Sequence, residues 1–183
     1  PDGISAPDFD FEGLTDVMEG AFRPGHFAGV AQVVYRLLNI VRPDRLYMGQ
    51  KDYQQWTIIH RMLEQLQLPI DLVMVTTVRE PDGLAMSSRN RRLDPDIRMQ
   101  ASVLYQALSE ILEALMEGNK DYRALENNAK EQILAAGLEP EYVQIADGYT
   151  LQPAHPAKPS KRLVVCVAAW AGEVRLIDNL FLD

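Results

Sequence analysis

Apolar residues recur at spacings of three and four between Phe27 and Val41, at Val30, Val33, Val34, Leu37, Leu38 and Val41, which is the period of an amphipathic helix. Arg42-Pro43-Asp44 stops it, because proline disfavours helix in the residue before it. Arg45–Met48 then reads as a short strand closed by Gly49. A second helical stripe runs from Asp52 to Leu66, with Trp56, Ile59, Met62, Leu63 and Leu66 on one face. Pro69 introduces Ile70–Val75, a continuous apolar run of the kind expected in a buried parallel strand. Strand, helix, strand makes a right-handed βαβ unit. Before it, residues 1–12 have no period, and Phe11–Glu19 is predicted as a short helix ending at Gly20.

The pattern changes after residue 93. Asp94-Pro95-Asp96 combines an N-cap, a first-turn proline and a first-turn acid, predicting one helix to about Glu117, with Gly118 as its C-terminal stop. A second helix is expected from Asp121 to Ala136, stopped by Gly137. Strands follow at Tyr142–Ala146, Arg162–Ala169 and Val174–Leu182. Gly172-Glu173 is a tight turn making the last two antiparallel, and a proline-rich loop, 153–160, separates the first two. The fold class is therefore α/β followed by a small α+β domain with an antiparallel sheet. The boundary falls within 76–93, giving domains 1–78 and 79–183.

Composition narrows the function. The chain has 183 residues, 47% hydrophobic and 24% charged, with a net charge of -8, which speaks for a folded domain and against a nucleic-acid partner. No apolar run approaches the ~20 residues of a membrane span, and no secretory signal is visible. The single cysteine, Cys166, excludes an internal disulfide and reads as a small core residue, which fits a cytoplasmic protein. Trp56 and Trp170 fit core positions, and His60 and His155 read as non-functional.

Three segments carry candidate chemistry. In Gly49-Gln50-Lys51-Asp52-Tyr53-Gln54-Gln55, glycine permits close backbone approach, Lys51 supplies a point charge for phosphate at a helix start, and Asp52 can accept from ribose hydroxyls. Lys51-Asp52 alone would read as a solvated, Asp-capped helix start; the adjacent glutamines, with Gln55 able to hold a carboxylate or hydroxyl, tilt it towards a site. In Val78–Asn90, two serines beside a fork-shaped guanidinium suit a triphosphate. Four arginines between 79 and 92 in an acidic chain are better explained by an anion than by an exposed loop. In the third, Arg23-Pro24-Gly25-His26, Arg23 and His26 precede a helix and could meet a carboxylate or phosphate there; spacing alone fits a capped loop with a surface histidine equally well.

Together, Arg23-Pro24-Gly25-His26-Phe27, Gly49-x-Lys51-Asp52-Tyr53-Gln54-Gln55, Asp82–Asn90 and the tail Ala168-Ala169-Trp170 with Arg175–Asn179 resemble the pantothenate synthetases, the ATP-dependent pantoate–β-alanine ligases. The resemblance covers nearly the whole chain. It implies part of a Rossmann-like nucleotidyltransferase domain followed by a C-terminal lid domain. It implies two steps: pantoate and Mg-ATP give an acyl-adenylate and pyrophosphate, then β-alanine displaces AMP. Carried over by motif, Lys51, Ser87, Ser88 and Arg89 hold phosphates and act catalytically, Gly49 and Asp52 contact ribose, and Val78 and Met86 offer backbone to adenine. Gln55 holds pantoate, and Arg23 and His26 line the β-alanine side or order the site. The implied cofactors are ATP and Mg2+, with no metal ligand assigned here and some expected outside this sequence. The partners are small-molecule substrates and a second copy in a homodimer, without nucleic acid or membrane. The family's N-terminal histidine–glycine–histidine motif does not occur in this sequence. With Pro1 as first residue, this predicts a C-terminal fragment that alone has no or very weak ligase activity. A nucleotidyltransferase for another acid, and a non-catalytic association domain, are the rival readings.

Overall fold

The structure is a computed structural model and describes residues 5–158 and 160–182. Pro1, and Pro159 of the proline-rich loop, lie outside the described residues. The chain divides into two units, Pro1–Thr76 and Thr77–Asp183.

In the first unit, α1 (Met18–Phe22) and α2 (His26–Val41) precede β1 (Arg45–Gly49), α3 (Tyr53–Leu66) and β2 (Asp71–Val75). Strands β1 and β2 are parallel, with Arg45 opposite Asp71 and Gly49 opposite Val75, so the expected βαβ unit forms. Ala31 and Leu38 of α2 meet Ile59, Met62 and Leu63 of α3, with Leu46, Met48 and Leu72 of the strands packed against them.

Three expectations need correction here. The helix expected over Phe11–Glu19 is replaced by α1, because Glu12, Gly13 and Met18 all have positive φ (49°, 80° and 44°), and left-handed residues interrupt a right-handed helix. Gly20 lies inside α1, where a Cβ would sit 2.1 Å from the Thr15 carbonyl oxygen. The strands are not deeply buried: Tyr47 and Val75 are exposed, because successive side chains of a strand point to opposite faces and the helices pack on the face that carries Leu46, Met48 and Leu72. Finally, only part of the α2 stripe is covered. Val33, Leu37 and Val41 are exposed, Val41 at 66%, because the helix is apolar over more of its circumference than α3 covers.

The second unit contains α4 (Pro95–Gln100), α5 (Val103–Met116), α6 (Tyr122–Ala135), β3 (Glu139–Asp147), β4 (Leu163–Ala171) and β5 (Val174–Leu182). The sheet order is β3-β4-β5, antiparallel throughout. Leu104, Leu108 and Ile111 of α5 and Ile133 of α6 pack with Val165 and Val167 of β4. Val164, Cys166 and Ala168, of the opposite parity, are buried as well, so the central strand is covered on both faces.

The caps form as their residue types require. The Asp94 carboxylate accepts from Asp96 N–H and the Asp121 carboxylate from Ala124 N–H, at 3.0 and 3.1 Å. Gly118 and Gly137 adopt φ of 88° and 85°, closing α5 and α6 with paired bonds from Gly118 and Asn119, and from Gly137 and Leu138. The expected single helix from Asp94 breaks at Ala101–Ser102. There Leu104 and Tyr105 N–H groups bond back three residues, and the Ser102 hydroxyl donates to the Met99 carbonyl at 3.1 Å, competing with the helical ladder. Trp170 is not a core residue. It is 37% exposed, and its indole N–H donates to Glu141 at 2.6 Å, whose carboxylate also pairs with Arg175.

Candidate functional site

β1 ends at Gly49, and a 3₁₀ turn, Gln50–Asp52, leads into α3. Lys51 and Asp52 thus stand where a parallel strand gives way to a helix, the end of open α/β sheets at which ligands bind. Asp52 occupies the N-cap position of α3, yet its carboxylate accepts no capping hydrogen bond. It is exposed and keeps its acceptor capacity for another donor.

The two glutamines part company. Gln54 is 6% exposed; its amide donates to the Leu14 and Val17 carbonyls at 2.7 and 2.9 Å and accepts from Glu19 N–H at 3.0 Å. All of its polar atoms are used to hold the 14–19 segment, so Gln54 is structural, and the paired glutamines do not both mark a site. Gln55 is half-buried.

Gly25, at φ 77°, is the N-cap of α2, and His26 is its first residue. Burial lowers the proton affinity of His26 and Arg23 lowers it further, while Glu19 and Asp52 act against them. The first unit therefore places Arg23 and Asp52 within electrostatic reach of His26, with His26 biased towards the neutral ring. Arg23 also lies 3.8 Å from the Glu19 carboxylate and borders a cavity of about 420 Å³ with Phe9, Phe11, Phe27 and Gln32.

In the second unit, the loop expected over 79–92 is an ordered hairpin followed by a 3₁₀ helix. Glu80 N–H donates to Leu84 C=O, and Met86 N–H to Val78 C=O, both at 2.9 Å. Arg79 and Ala85 face each other between these bonds. The turn needs Gly83 at φ 88°, where a Cβ would lie 2.1 Å from the Tyr105 ring. The reciprocal bond from Val78 N–H to Met86 C=O is not formed among the described residues. Both residues are exposed, so the hairpin mouth presents one unused donor and one unused acceptor.

The chain then enters the 3₁₀ helix Ser88–Arg92. The Ser87 hydroxyl oxygen accepts from Arg89 N–H at 3.2 Å, which leaves its O–H free to donate outward. Ser88, Arg89, Arg91 and Arg92 are exposed, and Arg89 donates one N–H to the Arg175 carbonyl at 3.3 Å. Beside them lies a cavity of about 640 Å³ bordered by Glu80, Met86, Ser87, Ser88, Arg91 and Arg98. The side chains of Ser87–Arg92 are rich in donors and cations, a set that suits a phosphate chain. Arg79 does not belong with the other three arginines. It is consumed by Asp178 at 2.6 and 3.1 Å, so part of the local positive charge is already neutralised. Sequence reading missed both this pairing and the structural role of Gln54; neither has a local signal, because the partners lie 99 and 35–40 residues away.

A parallel βαβ unit with a basic turn at its strand end, and a donor-rich hairpin on a small α+β unit, define a nucleotidyltransferase-like protein. Residues 6–181 match the profile of pantoate-beta-alanine ligase, and the chain belongs to that family. It is 47% identical over 182 residues to pantothenate synthetase of Thioalkalivibrio sulfidiphilus, covering 100% of this chain and 62% of the relative. It is 46% identical over 184 residues to the Vibrio cholerae pantothenate synthetase, again 100% and 62%. The chain thus spans about three fifths of the length of these curated relatives. Among solved structures, pantothenate synthetase of Thermus thermophilus matches with a TM-score of 0.89 and 41% identity, covering 98% of this chain and 64% of that one. The Francisella tularensis pantoate-beta-alanine ligase, solved with beta-gamma ATP and beta-alanine, matches at 0.72 and 31%, covering 98% and 59%.

Proposed function

We propose that this chain serves the ATP-dependent ligation of pantoate to β-alanine. The pantoate carboxylate attacks the α-phosphorus, the bond to the bridging oxygen breaks, and pyrophosphate leaves. The β-alanine amine then attacks the acyl carbon of the pantoyl-adenylate and AMP leaves, giving pantothenate. The observation that carries the reading is the hairpin mouth: an unused Val78 N–H and Met86 C=O followed at once by Ser87, Ser88 and Arg89. Adenine presents an acceptor at N1 beside a donor at N6, the complement of that pair. The serine hydroxyls and Arg89 then take the phosphates. In the first unit, Lys51 is assigned to phosphate as well, and Gly49 and Asp52 to the ribose. Gln55 receives pantoate, and Arg23 and His26 border the β-alanine side. Catalysis on this reading is alignment and charge neutralisation rather than acid–base work by one residue.

Mg2+ fits as a companion of the triphosphate. Among the described residues no group of three or more His, Cys, Asp or Glu side chains could hold a metal, whereas magnesium in nucleotide sites is bound largely by phosphate oxygens and water. When bound it would neutralise phosphate charge; no protein residue here is assigned to it. The Francisella tularensis relative solved with beta-gamma ATP and beta-alanine supports the substrate assignment.

We further propose a cytoplasmic homodimer; none of the described helices is long and apolar enough to cross a membrane. Light scattering tests the dimer. The test of function is pyrophosphate release and ATP–pyrophosphate exchange, which must depend on pantoate rather than another acid. Exchange driven by a different carboxylate would point to a related adenylyltransferase. Ligation by the 183-residue chain alone is proposed to be weak or absent, and measurable pantothenate formation by it would overturn that.

A further inference from the structure

Arg79 makes more polar contacts than any other part of the hairpin. Its guanidinium forms a bidentate pair with Asp178, donates to the Gly83 carbonyl at 3.0 Å and to the Asn179 carbonyl at 3.4 Å, and lies 4.4 Å from the centre of the Tyr105 ring. The Asp178 side chain is 2% exposed and that of Arg79 18%. Asn179 N–H donates to Asp178 Oδ1 at 2.8 Å, fixing the carboxylate from behind. A paired, buried charge of this kind adds little net stability, but removing one partner leaves the other charge buried and unpaired. A second tie holds the turn: Arg98 on α4 forms a bidentate pair with Asp82.

The positions of these ties matter. Arg79 follows Val78 directly, and Val78 is paired to Met86, so Asp178 fixes the hairpin mouth against β5. Ten residues on, Arg89 donates to the Arg175 carbonyl of the same strand. Arg175 and Asp178 are three residues apart on β5, roughly 10 Å at ~3.3 Å per residue. One strand thereby anchors both the hairpin mouth, through Arg79, and the Arg89 side chain that follows it.

We propose that Arg79, held by Asp178, is a positioning residue for the nucleotide, setting how the purine-contacting hairpin mouth is spaced and oriented relative to the phosphate-contacting Arg89 guanidinium. This rests on the ATP reading given above. It touches no substrate itself. Its effect is that of a linker in a two-point ligand: each half of ATP finds its contacts unaided, and only their simultaneous engagement depends on the spacing.

The test is calorimetric titration of the chain with ATP, adenosine and tripolyphosphate, for the unaltered protein and for Arg79→Lys and Asp178→Asn. Circular dichroism and a cooperative melt establish that each variant is folded. The expected result is ATP binding at least about tenfold weaker in the variants, with adenosine and tripolyphosphate each within about twofold of the unaltered protein. A merely structural role predicts equal losses for all three ligands, and that outcome overturns the proposal. So does ATP binding at unaltered strength in either folded variant, or failure of both variants to fold. If the unaltered chain binds no ATP, the reading of the site itself falls, and this inference with it; that result is distinguishable from the others.

Discussion

Met86 N–H donates to the Val78 carbonyl at 2.9 Å without the bond being returned. The unreturned bond leaves a donor on Val78 and an acceptor on Met86 at the mouth of a hairpin that is otherwise closed. Guanine presents a donor at N1 and an acceptor at O6, the reverse of adenine. ATP is therefore expected to bind the chain more tightly than GTP by about tenfold or more, since one mismatched pair costs on the order of 1–3 kcal/mol. Competitive titration of a fluorescent ATP analogue with GTP measures it; equal displacement by both nucleotides would remove adenine from this hairpin.

The phosphate-facing residues differ from the rest of the basic cluster. Replacing Arg89 or Lys51 with alanine is expected to weaken ATP binding by roughly 1.5–3 kcal/mol each, the range of a hydrogen bond to a charged group. The stability of the chain should change less than its affinity for ATP. The ATP affinity of the unaltered protein should also fall as salt is raised. Titrations at two ionic strengths, with melts of each variant, check both statements.

Gly83 is required by its backbone as well as by space. At φ 88° and with a Cβ 2.1 Å from Tyr105, Gly83→Ala combines left-handed strain of ~1–2 kcal/mol with overpacking of ~1–3 kcal/mol. A loss of about 2–5 kcal/mol is expected in urea denaturation. Tyr105→Ala in the same background should recover part of it, which would locate the clash at the ring.

Gln54 and Gln55 are expected to separate cleanly. Gln54→Ala strands the Leu14 and Val17 carbonyls and the Glu19 N–H, costing on the order of 1–3 kcal/mol for each buried group left unsatisfied. Gln55→Ala should leave the denaturation midpoint nearly unchanged and weaken pantoate binding. Denaturation curves of the two variants, beside pantoate titrations, decide it.

Two groups give opposite pH signatures. Burial, aided by Arg23, depresses the pKa of His26, so the unfolded chain binds its proton more readily. The His26 contribution is complete above about pH 6.5 and is lost as pH falls through the depressed value. His26→Gln should flatten the fall in urea midpoint between about pH 7 and 5. Glu126 is the converse. Burial raises its pKa despite the bond from Ile145 N–H, so its charged form opposes folding above the usual carboxylate range. Glu126→Gln keeps an acceptor for Ile145 and should stabilise the chain at about pH 7; a destabilised variant would contradict that account.

Much of the fold is written locally. Gly118 and Gly137 end helices because glycine alone adopts φ of 88° and 85° there without strain, and Asp94 and Asp121 start them by accepting N–H groups two or three residues away. The turn at Gly172 and the antiparallel β4–β5 pair follow in the same way. The helix break at Ser102 was not legible, since Ser102 is compatible with either a continued helix or the back-bond to Met99 that forms. The exposed Trp170 was hidden for a related reason: it shares its parity with the buried Val164, Cys166 and Ala168, and only its hydrogen bond to Glu141, itself paired with Arg175, sets it apart.

The sequence by itself determined the βαβ unit, the three-stranded antiparallel sheet and the short motifs around Lys51 and Ser87–Arg89, because caps, turns and hydrophobic periods act over a few residues. Only the tertiary structure decided which polar residues remain free for a ligand. Gln54 and Arg79 looked like members of the site and are spent on Leu14, Val17 and Glu19, and on Asp178, respectively. The Asp52 carboxylate, which taken alone would read as a cap, is not used as one. Hydrogen-bonding capacity is finite, and its allocation between distant partners is settled only when folding brings them within about 3 Å.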